Sequence, residues 1–276
     1  MMTSLLESIG YVGWVLHALI WLPILGVGLV LWGEEEVAKK VAFWWSMGVL
    51  VLSLGLWWAF DPTQGSMQME SSTPWIETWG VSYSLGIDGI SLFMVLLTTL
   101  TSALAILGSF NYIKERQRAF YALMLLLQAG VVGVFVATDL MLFYVFFELT
   151  LVPMYFIIGI WGGERRVYAA IKFFLYTAIG SLLMLVGILY MYARGKALLG
   201  VASFAFVDLL QIPLIGAAVA DRKVNRTLAW VFQGLGHGQM QLHARKLRLE
   251  AGDQRGHDLC GHKRIGADAD RVGPAA

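Results

Sequence analysis

Of the 276 residues, 58% are hydrophobic and 14% charged, with a mean hydropathy of +0.68. That composition excludes a pair of soluble domains and points to stacked membrane spans. The formal net charge of +1 says little because the charges are unevenly placed, and Cys260, the sole cysteine, excludes an intrachain disulfide and a thiolate metal cluster.

No Lys or Arg precedes Lys39, so the first apolar run lacks the basic flank of a secretory signal and reads as a retained helix. Crossing a hydrocarbon core of roughly 30 Å takes about 20 apolar residues at about 1.5 Å each. Six runs reach that size, at 11–32, 41–60, 88–110, 119–137, 139–161 and 168–193. None has the alternation of a barrel strand. The predicted fold class is therefore an all-α membrane protein of about six transmembrane helices. The alternative is seven, because a further run at 197–220 is apolar but interrupted by Asp208, Gln211 and Pro213.

Basic residues in short loops set orientation. Lys39 and Lys40, then Lys114, Arg116 and Arg118, then Arg165 and Arg166, fall on one face of a six-helix chain. That face is expected to be cytoplasmic and the N-terminus exterior. Arg194 and Lys196 fall on the other side. The segment 61–87 holds Asp61, Glu70, Glu77, Pro62 and Pro74 and reads as an ordered exterior loop.

The predicted membrane domain covers residues 1–213 and a polar tail covers 214–276. Residues 221–276 hold 10 of the 20 Lys and Arg and 4 of the 5 His, while Leu, Ile, Val and Phe supply 11 of these 56 residues. That is close to the composition of a disordered segment. Its histidines lack a metal-ligand spacing.

The stretch LFYVFFELTLVPMY, residues 142–155, places the acid Glu148 in hydrocarbon. It lies about nine residues, roughly 13 Å, from the outer end of the fifth helix. An ionised group there costs about 2.5–3.5 kcal/mol, so it must face protein or a water-filled path. Desolvation favours the protonated carboxyl and a nearby cation the ionised one, and a group held between the two takes and releases a proton. Pro153 frees the carbonyl of Leu149, and Tyr144 and Tyr155 share the face of Glu148. The structural alternative is a protonated glutamic acid making one interhelical hydrogen bond.

Lys172 is the other deep charge, near the cytoplasmic end of the sixth helix, where it either snorkels to the interface or takes part in function. Its depth differs from that of Glu148 by roughly 13 Å, too far for a direct ion pair. Asp88 and Asp139 sit at outer helix ends, where a plain helix cap accounts for an acid, most simply for Asp139. His17 reads as a packing or hydrogen-bonding residue. Trp32, Trp58 and Trp161 form an interfacial belt, and no phosphate loop follows a strand.

The segment DLMLFYVFFELTLVPMYFIIGIWGGERRVYAAIKFFLYTAIGSLLMLVGILY (139–190), with SLGIDGISLFMVLLTTL (84–100), closely resembles chain M of the proton-translocating NADH:quinone oxidoreductase, respiratory complex I. The mitochondrial counterpart is subunit four. The resemblance covers residues 1–213. It implies a fold of about fourteen helices in two inverted repeats, moving protons along a hydrophilic axis at mid-membrane while quinone is reduced elsewhere in the complex. It makes Glu148 the family's essential glutamate and proton carrier, and matches Lys172 to a lysine at the start of the sixth helix. Asp88, Tyr144 and Pro153 become polar support. The resemblance implies no cofactor in this chain, since NADH, FMN, iron–sulfur clusters and quinone belong to other subunits. It implies partners in the adjacent antiporter-like chains L and N and in the lipid bilayer, no nucleic acid, and location in a bacterial inner membrane. After LLQIPL (209–214) the family pattern stops. A frameshift near residues 213–221 explains the shift in polarity, and the expected result is a truncated, impaired pump. The rival readings are a subunit of a multisubunit sodium/proton antiporter and a non-functional fragment.

Overall fold

The computed structural model describes residues 10–63, 66–200 and 203–210. The chain divides into two units, Met1–Ala217 and Ala218–Ala276, and every described residue lies in the first. The predicted polar tail lies outside the described residues.

Six helices are long and apolar enough to cross a membrane. They are α1 (Tyr11–Trp32), α2 (Glu35–Ala59), α3 (Gly89–Ser109), α4 (Gln117–Val136), α5 (Leu140–Trp161) and α6 (Arg166–Leu199). A short α7 (Phe206–Leu210) follows; it is all of the seventh apolar run that folds as a separate helix among the described residues. Two helices outrun their apolar stretches. Glu35, Glu36, Lys39 and Lys40 lie inside the first turns of α2, where the helix dipole favours the leading acids. Arg194 and Lys196 lie in the last turns of α6 rather than in a loop. Its 34 residues reach about 51 Å, well beyond the hydrocarbon core, so both cations have room to meet water.

The segment expected to be an exterior loop is an antiparallel hairpin. Strands β1 (Gln68–Ile76) and β2 (Val81–Ile87) are joined by a 3-10 turn at Glu77–Trp79. Gly80 closes that turn at φ 68°, a conformation other residues adopt at a cost. The polar strand β1 faces outward, and Pro74 is tolerated because this strand is an edge. Strand β2 turns Leu85 and Ile87 into the core beside Leu16, Val95, Val132 and Leu142. His17 ties α1 to the hairpin: its ring stacks on Tyr83 at 5.6 Å and its Nε2 meets Ser71 Oγ at 3.0 Å.

Helix α4 is the centre of the bundle and packs against α1, α2, α3 and α5. Small residues allow the close approaches. A Cβ at Gly26 would strike Trp45, and one at Gly133 would strike the ring of Phe146. Polar pairs stitch the interior. Ser46 donates to Gln128 Oε1 at 3.1 Å, Ser53 and Thr99 share a bond of 2.8 Å, and the Trp45 indole donates to the Leu22 carbonyl at 2.6 Å. Such bonds replace the hydrophobic effect that lipid cannot supply between helices.

Isolated backbone bridges join the ends of several elements beside the hairpin. Thr138 N donates to Ser84 O and Phe206 N donates to Thr138 O, both at 3.0 Å, while Leu140 N donates to Phe204 O at 3.0 Å. Residues 137–139 thus join β2 to residues 204–206 through isolated antiparallel bridges, Leu85 to Ala137 and Asp139 to Ala205. If the N-terminus is exterior, as the loop charges predict, the hairpin and these bridges face the outside. In a chain with Cys260 replaced by serine, an impermeant thiol reagent should label Glu77→Cys from the exterior and Lys114→Cys only from the cytoplasmic side. Labelling of Lys114→Cys from the exterior would reverse the orientation.

Candidate functional site

The site is built on the outer half of α5. Asp139 opens the helix. Its Oδ1 accepts from Met141 N at 2.9 Å and Leu142 N at 3.1 Å, and its Oδ2 accepts from Ser82 N of β2 at 3.1 Å. The side chain is only 1% exposed. Burial pushes its carboxyl above the usual carboxylate range, against the pull of these three N–H groups. The helix cap read from the sequence is present, and the structure adds to it: the second oxygen of Asp139 is spent on a strand 57 residues earlier.

Glu148 follows nine residues later, half-buried. The Tyr144 hydroxyl, one turn before it, interacts with both the Glu148 carboxyl and the hydroxyl of Ser181 on α6. Ser181 is buried and donates to the Ala178 carbonyl at 2.9 Å. Pro153, also buried, stands five residues beyond Glu148 in the same helix. Helices α5 and α6 run antiparallel, with Gly159 against Ala170 and Tyr155 ringed against Phe174 at 5.5 Å. Continuing that register brings Glu148 level with Ser181. Tyr155, expected beside Glu148, belongs instead to this lower contact.

The same register sets Lys172 level with Ile157, nine residues or about 13.5 Å from Glu148. Its side chain lies on the exposed face of α6, with Nζ 5.9 Å from the ring centres of both Tyr168 and Tyr176. Two aromatic faces flank the ammonium. Glu148 and Lys172 are therefore not brought together, and the one ion pair among the described residues joins Arg118 to Glu35 at 3.8 Å.

Asp88 caps α3, accepting from Ser91 N at 2.7 Å, and that N–H holds its carboxyl below the usual range. It borders a cavity of about 560 Å³ with Trp57, Phe60 and Phe93. It stands on another helix end and is not in contact with Glu148 by any described hydrogen bond or ion pair. Among the described residues no three His, Cys, Asp or Glu side chains converge as a metal site.

Sequence reasoning missed Ser181 and the reach of Asp139. A serine in AIGSLL carries no signal until the register of two helices is known.

Comparison with known proteins bears on the whole described region. The family model for the amino terminus of NADH-ubiquinone oxidoreductase chain 4 matches residues 19–133. The model described as NADH:quinone oxidoreductase/Mrp antiporter, TM, matches residues 137–229, running past the point at 213 where the resemblance was expected to end. NADH-quinone oxidoreductase subunit M of Escherichia coli K12 is 40% identical over 211 residues, covering 71% of this chain and 41% of that protein. A chain of respiratory complex I from Thermus thermophilus with bound NADH superposes with a TM-score of 0.64 at 30% identity, covering 80% of this chain and 42% of that one. The Mrp complex of Dietzia sp. also gives 0.64, at 18% identity and covering 79% of this chain and 23% of that one, which is a likeness of fold alone. The chain thus spans about two fifths of the length of the subunit M relative it matches. Two consecutive family models, the subunit M identity and the six apolar helices agree: the chain belongs to the NADH:quinone oxidoreductase subunit M (chain 4) family, and matches the N-terminal part of its relatives.

Proposed function

We propose that this chain serves in the membrane arm of a proton-translocating NADH:quinone oxidoreductase and that Glu148 carries the proton. The observation that supports this most is a carboxyl placed nine residues inside a membrane helix, half-buried, with the Tyr144 hydroxyl beside it. A carboxyl at that depth is costly and finds its use in proton relay. Pro153 opens the backbone hydrogen-bonding one turn away. Lys172 is the proton-path lysine of this reading. Because about 13.5 Å of helix separates the two levels, water or a third residue links them. Asp88 lends polar support at the outer surface.

In this reading the electron chemistry lies elsewhere. NADH, flavin, iron–sulfur clusters and quinone are held by other subunits, the neighbours are the antiporter-like chains L and N, and the setting is a bacterial inner membrane. The polar residues 221–276 contain no apolar run of even half the length needed to cross a bilayer. We read the change of polarity as a frameshift near residues 213–221 that leaves an impaired pump, set against a family match that runs to residue 229. Resequencing across codons 205–225 reads that directly.

A sodium/proton antiporter subunit is the second reading, favoured by the shared family model over residues 137–229. The LVPMY segment at 151–155 speaks for the oxidoreductase. The two separate in inverted vesicles carrying residues 1–213 followed by the C-terminal part of the Escherichia coli relative. The expected result is NADH-driven proton uptake that a quinone-site blocker abolishes. Sodium-driven proton exchange that persists with the blocker would overturn it.

A further inference from the structure

We propose that the cavity between the end of α2 and the start of α3 is a lipid headgroup site, in which Asp88 and the rings of Trp57, Phe60 and Phe93 take the ammonium of an ethanolamine lipid. The inference stands apart from the reading of Glu148 as proton carrier, and its test does not require pumping.

Residues 41–113 carry four acids, Asp61, Glu70, Glu77 and Asp88, and no Lys, Arg or His. The cations nearest in sequence, Lys39, Lys40 and Lys114, lie at or beyond the opposite ends of α2 and α3. Asp88 accepts from Ser91 N at 2.7 Å, and that N–H favours the ionised carboxylate. The N-terminus of α3 offsets only about half an elementary charge. A net negative charge therefore stands at this helix end, and the one ion pair among the described residues, Arg118 with Glu35, lies elsewhere.

Aromatic rings share the cavity with that charge. The rings of Trp57 and Phe93 meet edge to face, with centres 5.8 Å apart and planes at 79°, so two walls stand nearly at right angles. With Phe60 and Leu92 they line the same space of about 560 Å³ as Asp88. A bare metal ion needs far less room, and pockets for organic ligands run to about 300–1,000 Å³. A carboxylate accepts the N–H groups of a primary ammonium, and ring faces attract its charge. The level also fits a headgroup. Trp57 lies in the last turn of α2 and Phe93 in the second turn of α3, where hydrocarbon gives way to the polar boundary. Trp57, Ile90 and Phe93 are exposed, which leaves the mouth open to lipid. An interfacial aromatic belt accounts for the rings but not for an ionised acid among them. An anionic headgroup would be repelled by Asp88, whereas an ethanolamine headgroup ends in the cation that the cavity lacks.

The test is native mass spectrometry of the intact 276-residue chain, released from nanodiscs made of equal parts phosphatidylethanolamine and phosphatidylglycerol. The parent chain is expected to retain phosphatidylethanolamine. Asp88→Asn removes the charge and keeps a side chain that caps a helix well. Trp57→Leu removes a ring and spares the core, because Trp57 is exposed. Each should lower retention of phosphatidylethanolamine roughly fivefold or more, the size of a lost contact to an ammonium, and leave phosphatidylglycerol as it was. Glu77→Gln neutralises an acid on the hairpin turn and should change neither lipid. Unchanged phosphatidylethanolamine in folded Asp88→Asn would overturn the proposal. So would an equal fall of phosphatidylglycerol, or an equal loss in Glu77→Gln, since either marks a general effect of charge. Should Asp88→Asn fail to fold, Trp57→Leu decides on the same measurements. Free ethanolamine that binds the parent chain as readily as the lipid does would overturn the lipid as occupant.

Discussion

Glu148→Gln lowers proton-coupled quinone reduction by at least about 100-fold while the complex assembles at its normal level, the size expected when a positioned proton carrier is removed. Glutamine keeps the volume and the hydrogen bonds of the side chain but cannot ionise. The half-buried carboxyl has the Tyr144 hydroxyl as a polar neighbour, and an amide bonds to it without ionising. Assembly survives because the apolar contacts of α5, through Leu142, Phe146 and Leu151, are untouched. Glu148→Asp retains an acid with a shorter reach and keeps partial activity. The measurement is NADH-driven proton uptake in inverted vesicles carrying the full-length chimera, set against NADH oxidation in the same vesicles. Normal uptake by the glutamine variant would reduce Glu148 to the structural alternative, a neutral acid bonding across helices.

Gly133→Val has the second large effect, and on folding rather than chemistry. A Cβ at this position would fall on the ring of Phe146, which is itself buried against Val132 and Leu142. Neither helix can back away cheaply, because α4 is held on its far side by α1 and α2. Overpacking of this kind costs about 1–3 kcal/mol. That corresponds to roughly a fivefold to 150-fold fall in the folded fraction, read by denaturant titration of the purified chain in mixed micelles. Phe146→Ala should recover part of the loss in the double variant, since the two groups compete for one space. Equal stability of Gly133→Val and the parent chain would mean that α4 and α5 are not as closely packed as described here.

Six spans of about the right lengths were legible from the sequence, because apolar length is a local property and lipid admits few alternatives to a helix. Glu148 was legible for the same reason: a carboxylate in hydrocarbon is conspicuous wherever the chain goes. The depth of Lys172 relative to Glu148 was also within reach, since rise per residue and antiparallel order suffice. The hairpin at 68–87 was not. Its strands pair with each other, but their burial depends on α1, α4 and α5, and the polar face of β1 reads as a loop. The ends of α2 and α6 were missed because charges that end an apolar run do not end a helix. Above all, Asp139 looked like any acid before a helix. Only the tertiary structure brings Ser82 and Ala205, far away in sequence, to its carboxylate and its backbone. Composition and periodicity determine which segments enter the membrane. The register between those segments is decided by directional bonds and close approaches at single residues, and such contacts exist only after distant parts of the chain have met.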